Sequence, residues 1–114
     1  GLTLIGSVDE RDVIIVDDEV DTAGSMAEAV KLVKKSGARN IYLVSVHAVL
    51  SDPAVERLAD LPIKNIIVTD TIPIPAQKRS KLGGKLVCLS VAPLLGEVIL
   101  RAHEGRSVGE MFHE

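Results

Sequence analysis

The sequence predicts an α/β domain, a doubly wound, mostly parallel sheet with flanking helices. Three observations carry this reading. Four short apolar runs rich in β-branched residues, Val13–Val16, Ile41–Val46, Ile66–Thr69 and Leu86–Leu89, have the composition of strands. Their starts lie 28, 25 and 20 residues apart, enough for a crossover helix each time. Amphipathic segments with helix start and stop residues fill the intervals, and a βαβα order with right-handed crossovers gives a layered sheet.

The elements follow in chain order. Gly1-Leu2-Thr3-Leu4-Ile5 alternates as a short strand and, lacking an initiating Met, reads as the start of a piece cut from something longer. Val13–Val16 has no polar interruption, as in a strand buried on both faces of a parallel sheet. From Met26 a helix is expected, with Met26, Val30 and Val33 on one face, Glu28, Lys31 and Lys35 on another, and Gly37 as its stop. Asp52-Pro53 reads as N-cap and first residue of a short helix that turns Val55, Leu58 and Ala59 inward and ends before Pro62. Residues 71–85 break the pattern with Pro73, Pro75 and Gly83-Gly84, so a loop or hairpin is expected there. That segment carries the basic cluster Lys78, Arg79, Lys81 and Lys85, which suits a solvated face or a phosphate. Pro93 opens a last helix with Leu94, Leu95, Val98, Ile99 and Ala102 as its buried stripe, a Glu97–Arg101 pair outside, and Gly105 just past its end.

Composition narrows the class of function. With 114 residues, 46% hydrophobic and 25% charged, the chain suits a single folded domain over residues 1–114. A net charge of −3 and only Tyr42 and Phe112 as aromatics argue against a nucleic-acid reader that works by base stacking. Uncharged runs such as Leu86 to Gly96 fall well short of the roughly 20 residues of a membrane span. Cys88 is the only cysteine, so no internal disulfide or thiolate metal site can form, and a reducing, cytoplasmic setting is expected.

The segment after Val16 concentrates the chemistry. Ligands of open parallel sheets bind beyond the carboxyl ends of strands, and Asp17-Asp18-Glu19-Val20-Asp21-Thr22-Ala23-Gly24-Ser25 reads as the loop from the first strand to the first helix. Thr22, Ala23, Gly24 and Ser25 offer two hydroxyls, small side chains and the free N–H groups of a helix start, which suit a phosphate. Asp17, Asp18 and Asp21 would repel one, and so call for sugar hydroxyls or a divalent cation. Ribose phosphate is the simplest ligand with both halves. Ser25-Met26-Ala27-Glu28 also matches a capping box, a purely structural use worth about 1 kcal/mol. No Walker A Lys and no G-x-G-x-x-G run is present.

The decapeptide Val16-Asp17-Asp18-Glu19-Val20-Asp21-Thr22-Ala23-Gly24-Ser25 resembles the phosphoribosyl diphosphate signature of type I phosphoribosyltransferase folds, in the version carried by ribose-phosphate diphosphokinases. Further blocks resemble the C-terminal half of that family, in order: His47 to Ala54, Val68 to Pro73, Leu89 to Leu95 and His103 to Phe112. The resemblance implies a phosphoribosyltransferase-like fold and a C-terminal, ribose-phosphate-binding half of a longer two-domain enzyme of nucleotide biosynthesis. Such enzymes move a diphosphoryl group from ATP to the C1 hydroxyl of ribose 5-phosphate with Mg²⁺. Asp17 and Asp18 would face the ribose hydroxyls and, through the ligand, the metal. Asp21 would lie near the sugar, and Thr22, Ala23, Gly24 and Ser25 would hold the 5-phosphate. Ser107 and Phe112 would match positions that bind a regulatory phosphate or nucleotide in some members. The sequence departs from the family at Ala48 and Asp52, where Gly is usual, and at Gly109, where a second Ser is common. The family's catalytic residues and most of its ATP site would lie upstream of Gly1, so no catalytic residue is assigned to this chain. A homo-oligomeric, cytoplasmic parent is implied.

Two alternatives remain at this level. Ile15-Val16-Asp17-Asp18-Glu19 also looks like the acidic start of a response-regulator receiver, with Asp70 as the residue to be phosphorylated. The receiver's Lys after the last strand is missing, since Leu86–Leu89 runs into Ser90-Val91-Ala92-Pro93. A non-catalytic regulatory homologue of the diphosphokinase is the other. His47, at a strand end, reads as structural rather than as an acid or base.

Overall fold

All four apolar runs form strands in the computed structural model, which describes residues 1–113. They are β1 (Val13–Val20), β2 (Ile41–Ala48), β3 (Asn65–Thr69) and β4 (Leu86–Leu89), all parallel and in the order β1-β2-β3-β4. Register is continuous across the sheet: Val13 lies opposite Ile41, Tyr42 opposite Asn65, and Ile66 opposite Leu86. Helices α1 (Gly24–Lys35), α2 (Ala54–Asp60) and α3 (Ala76–Leu82) connect them, and α4 (Ala92–Glu104) follows β4.

Strand alternation explains where the core lies. Ile41, Leu43 and Ser45 of β2 and Ile66 and Val68 of β3 point to one face, where they meet Met26, Val30 and Val33 of α1, Val55 and Leu58 of α2 and Leu82 of α3. One face is thus covered by three helices. On the other, Ile14 and Val16 are 63% and 72% exposed, and Val46, Val87 and Leu89 are exposed as well. The expectation that Val13–Val16 is buried on both faces is therefore corrected: the parallel α/β layer forms, with one of its two helical covers among the described residues. Buried Ser45 has no hydrogen-bond partner for its Oγ there.

The same lack of a second layer leaves α4 open. Its expected buried stripe is exposed at Leu94, Leu95 and Ile99. Polar ties hold it instead: Asp70 Oδ1 accepts the Val91 N–H at 2.8 Å, and Arg101 pairs with Glu97 at 2.9 Å and donates to the Ser107 carbonyl at 2.7 Å. The radius of gyration is 16.8 Å, against about 13 Å for a compact chain of this length. Accessible surface reaches 7267 Å², where about 6,100 Å² is usual for this mass.

Local chemistry sets the boundaries. α1 stops as expected at Gly37, whose φ of 99° lets its N–H reach the Lys34 carbonyl while the Ala38 N–H reaches that of Val33. α2 begins one residue later than expected, because Pro53 has non-helical φ −101° and ψ 39° and occupies the N-cap itself. The expected loop over residues 71–85 contains α3 and a 3₁₀ turn (Gly83–Lys85). Its cations make that possible: Lys78 donates to the Leu50 carbonyl, Arg79 to that of Ile74, and Lys85 to those of Ala59 and Leu61, while Lys81 pairs with Glu56 at 2.6 Å. Gly1–Ile5 forms no strand.

Candidate functional site

β1 continues beyond its apolar half, so Asp17, Asp18 and Glu19 lie in the strand rather than in a loop. Asp17 is opposite Ser45 and Glu19 opposite His47. Pairing persists because Val20 buries its side chain and its carbonyl accepts the Leu50 N–H at 3.0 Å, which ties the strand end to the segment after β2. Asp21 and Thr22 then turn the chain, and Ala23 enters α1 in the left-handed conformation, φ 64° and ψ 17°.

Ala23, not Ser25, is the N-cap of α1, and no side chain caps this helix. Ser25 is already helical, one residue inside Gly24, so the S-x-x-E match is not a capping box here. That leaves the N–H groups of Ala23, Gly24, Ser25 and Met26 without a hydrogen bond among the described residues; the first to bond is Ala27, to the Ala23 carbonyl at 2.9 Å. These four donors sit where the helix dipole is positive.

All seven residues singled out from the sequence, Asp17, Asp18, Asp21, Thr22, Ala23, Gly24 and Ser25, line one pocket of about 190 Å³ formed by residues 17–26. The residues that carry the donors and the acids therefore border one pocket. Asp17 Oδ1 accepts the Asp18 N–H at 2.8 Å and Asp18 Oδ1 accepts the Glu19 N–H at 2.9 Å, which fixes both carboxylates and leaves each a second oxygen. The Asp17 carboxyl beside it, and then the Glu19 N–H, hold the Asp18 carboxyl below the usual carboxylate range. No group of three or more His, Cys, Asp or Glu among the described residues is arranged to hold a metal by itself. The chemistry of the pair still suits Mg²⁺ bound jointly with a ligand, since that ion commonly takes one or two carboxylates, phosphate oxygens and several waters.

Other candidates fall into place around this pocket. His47 Nδ1 lies 2.8 Å from Thr71 Oγ1, and Thr69 Oγ1 donates to the Val46 carbonyl at 2.6 Å, a polar clasp between the ends of β2 and β3. Asp70, its carboxyl lowered by Ser90 and by the Val91 N–H, anchors the start of α4. The Lys78–Lys85 cations are spent on backbone carbonyls and on Glu56. Ser107 and Phe112 lie apart from the pocket, in the tail after α4, with Phe112 exposed in a 3₁₀ turn (Gly109–Phe112). A residue that the sequence reading passed over is Arg57 of α2, whose Nη1 donates to the Thr22 carbonyl at 3.0 Å. Nothing in the spacing between positions 22 and 57 announces that contact. A larger cavity of about 470 Å³ lies between α1 and α2, but its lining mixes Lys31 and Arg57 with Glu28 and Asp60 and includes only Gly24 of the residues that carry the unpaired N–H groups.

The model of the phosphoribosyl synthetase-associated domain matches residues 1–113. The chain belongs to that family. The matched segment is nearly the whole chain. A ribose-phosphate pyrophosphokinase of Caldanaerobacter subterraneus is 46% identical over 111 residues, 97% of this chain and 34% of that protein. One from a Nostoc species is 48% identical over 111 residues, 97% of this chain and 33% of its own length. The crystal structure of phosphoribosylpyrophosphate synthetase from Mycobacterium smegmatis superposes with a TM-score of 0.84 at 40% identity, covering 89% of this chain and 33% of that one. The chain thus spans about a third of the length of these relatives. They support the diphosphokinase reading over the receiver and the regulatory homologue. Among the described residues no helix is long and apolar enough to cross a membrane.

Proposed function

We propose that this domain binds the ribose phosphate of ribose 5-phosphate or phosphoribosyl diphosphate, as part of a longer ribose-phosphate pyrophosphokinase that transfers diphosphate from ATP to the C1 hydroxyl. The observation that carries the proposal is the pairing, in one pocket, of four unbonded helix N–H groups with the strand-borne Asp17 and Asp18. The N–H groups of residues 23–26, with the hydroxyls of Thr22 and Ser25, hold the 5-phosphate. Asp17, Asp18 and Asp21 can only accept, and so take the ribose hydroxyls.

Asp17 and Asp18 would hold Mg²⁺ jointly with the ligand, and the ion would supply charge neutralisation for the transferring group. The chain's own cations do not perform that task. Diphosphoryl transfer needs positive groups fixed against the phosphates beforehand, and the Lys78–Lys85 cluster is committed to holding α3. ATP is accordingly bound mainly by the rest of the longer enzyme, which acts as a cytoplasmic homo-oligomer. Ser107 and Phe112 contribute to a regulatory phosphate or nucleotide site.

Titration of the labelled chain with ribose 5-phosphate, followed by amide NMR, tests the reading. Shifts at residues 22–26 are expected, and phosphoribosyl diphosphate should bind more tightly with Mg²⁺ than with EDTA. Shifts confined to residues 69–85 would sink it.

A further inference from the structure

Arg57 sits on α2, thirty-five positions from the loop it touches, and its guanidinium makes an economical choice of partner. Glu28 and Asp60 line the same cavity between α1 and α2, yet no ion pair joins either of them to Arg57 among the described residues. The bond it does make goes to a backbone oxygen, from Nη1 to the Thr22 carbonyl at 3.0 Å. That Nη1 also lies 3.4 Å from where a Cβ on Gly24 would stand, so the guanidinium rests against the first residue of α1.

The orientation of one peptide plane follows. In a trans peptide the C=O and the next N–H point in opposite directions. With the Thr22 carbonyl drawn toward α2, the Ala23 N–H is aimed away from α2. Ala23 itself is left-handed at φ 64° and only 5% exposed, a conformation that persists in a residue with a Cβ only where its surroundings impose it. A charged donor on the carbonyl immediately before Ala23 is such an imposition. The cap has no side-chain hydrogen bond to fix it, and Arg57 steadies the peptide before it while leaving the helix N–H groups free.

We propose that Arg57 is a positioning residue for the sugar-phosphate loop: by holding the Thr22 carbonyl it keeps Ala23 left-handed and turns the N–H row of α1 toward the phosphate without touching the ligand. The inference rests on the reading of that loop as a ribose-phosphate site, and its test separates the two. Alanine methyl-labelled protein reports the Ala23 conformation directly through its Cβ signal, with or without ligand. In Arg57→Ala without ligand, the Ala23 signal should move toward the average of interconverting conformers and the Ala27 amide should exchange faster, while the signals of buried Ala48 and Ala54 stay in place. The dissociation constant for ribose 5-phosphate should rise about tenfold, the loss of one charge-assisted hydrogen bond's worth of preorganisation. Arg57→Lys, which keeps a cationic donor, should recover most of that loss. Weaker binding with an unmoved Ala23 signal would mean that Arg57 touches the ligand itself, and would overturn the proposal. So would a dissociation constant that Arg57→Ala leaves unchanged. Failure of the wild-type chain to bind ribose 5-phosphate would defeat the sugar-phosphate reading, and with it the proposal as stated; the ligand-free Ala23 signal would still show whether Arg57 holds the cap.

Discussion

Ala23 offers a measurement of how the loop is held, because two substitutions there should diverge. An L-residue in the left-handed region costs about 1–2 kcal/mol relative to Gly. Ala23→Gly removes that strain but gives up a buried methyl, about 0.8 kcal/mol, and adds about 0.4–1 kcal/mol of freedom to the unfolded chain. The terms nearly cancel, so stability should change by less than about 1 kcal/mol. Ala23→Val keeps the backbone demand and makes it worse, since a branched Cβ is a true outlier at positive φ. At a site that is 5% exposed, its extra methyls also overpack, for a combined loss of at least about 2 kcal/mol. Urea unfolding of the three proteins, read as midpoints with a common slope, decides between them. Binding adds a second readout: Ala23→Gly should weaken ribose 5-phosphate binding despite its intact stability, because the N–H row is no longer held in one orientation. Equal midpoints for Ala23→Val and wild type would refute the left-handed cap, and with it the geometry assigned to the pocket.

Three further outcomes are expected. Ser45→Ala deletes the buried hydroxyl without a partner and should raise the unfolding free energy by about 1 kcal/mol in chemical denaturation. Lys85→Ala leaves the Ala59 and Leu61 carbonyls without their donor; it should lower stability by about 1–3 kcal/mol and leave calorimetric binding of ribose 5-phosphate unaltered. The third concerns pH. Asp12, held by Asn40, Asp18, by Asp17 and Glu19, Glu56, by Lys81, and Asp70, by Ser90 and Val91, all titrate below their ordinary values of 3.8 or, for Glu56, 4.5. Each contributes stability that is complete above the unfolded value and is lost as pH falls through the lower folded one. Lys81, raised above 10.5 by Glu56, behaves in the opposite sense, with its contribution present below that value and lost as pH climbs through the folded one. Thermal unfolding should therefore vary little through the neutral range and decline at both extremes, by small amounts because all five groups are exposed.

The strands, α1 and α4 could be read from the sequence because β-branched runs and helical periodicity are local signals. Val13–Val16 also shows where such signals stop. An uninterrupted apolar run says that both faces of a strand are apolar, but not whether both are covered, and Ile14 and Val16 are apolar and open. α3 was hidden because its seven residues, Ala76–Leu82, hold a single buried apolar side chain, Leu82, and are held by cations tied to other parts of the chain, Lys78 to the Leu50 carbonyl, Arg79 to that of Ile74 and Lys81 to Glu56. The site was legible as a set of residues, since one contiguous segment supplies it. Its internal geometry was not: Ser25 matches a capping box in sequence, yet the left-handed turn at Ala23 starts the helix one residue too soon for it. Arg57 was invisible for a related reason, because its partner is a backbone oxygen and no side-chain pattern encodes that.

The uncovered face of the sheet has a calorimetric consequence. The heat-capacity change of unfolding measures apolar surface newly delivered to water, and a typical globular chain of this length would show about 1.4–1.7 kcal/mol/K. Here Ile14, Val16, Val87, Leu89 and the outer residues of α4 are hydrated before unfolding begins, so their share of that change is already spent. The stability curve of the isolated chain is accordingly flatter than its length would suggest, with a wide, shallow maximum and a gradual thermal transition. Whatever layer comes to lie on that face adds curvature along with strength, and the gain in heat capacity on its docking is a direct measure of how much of the face it dries.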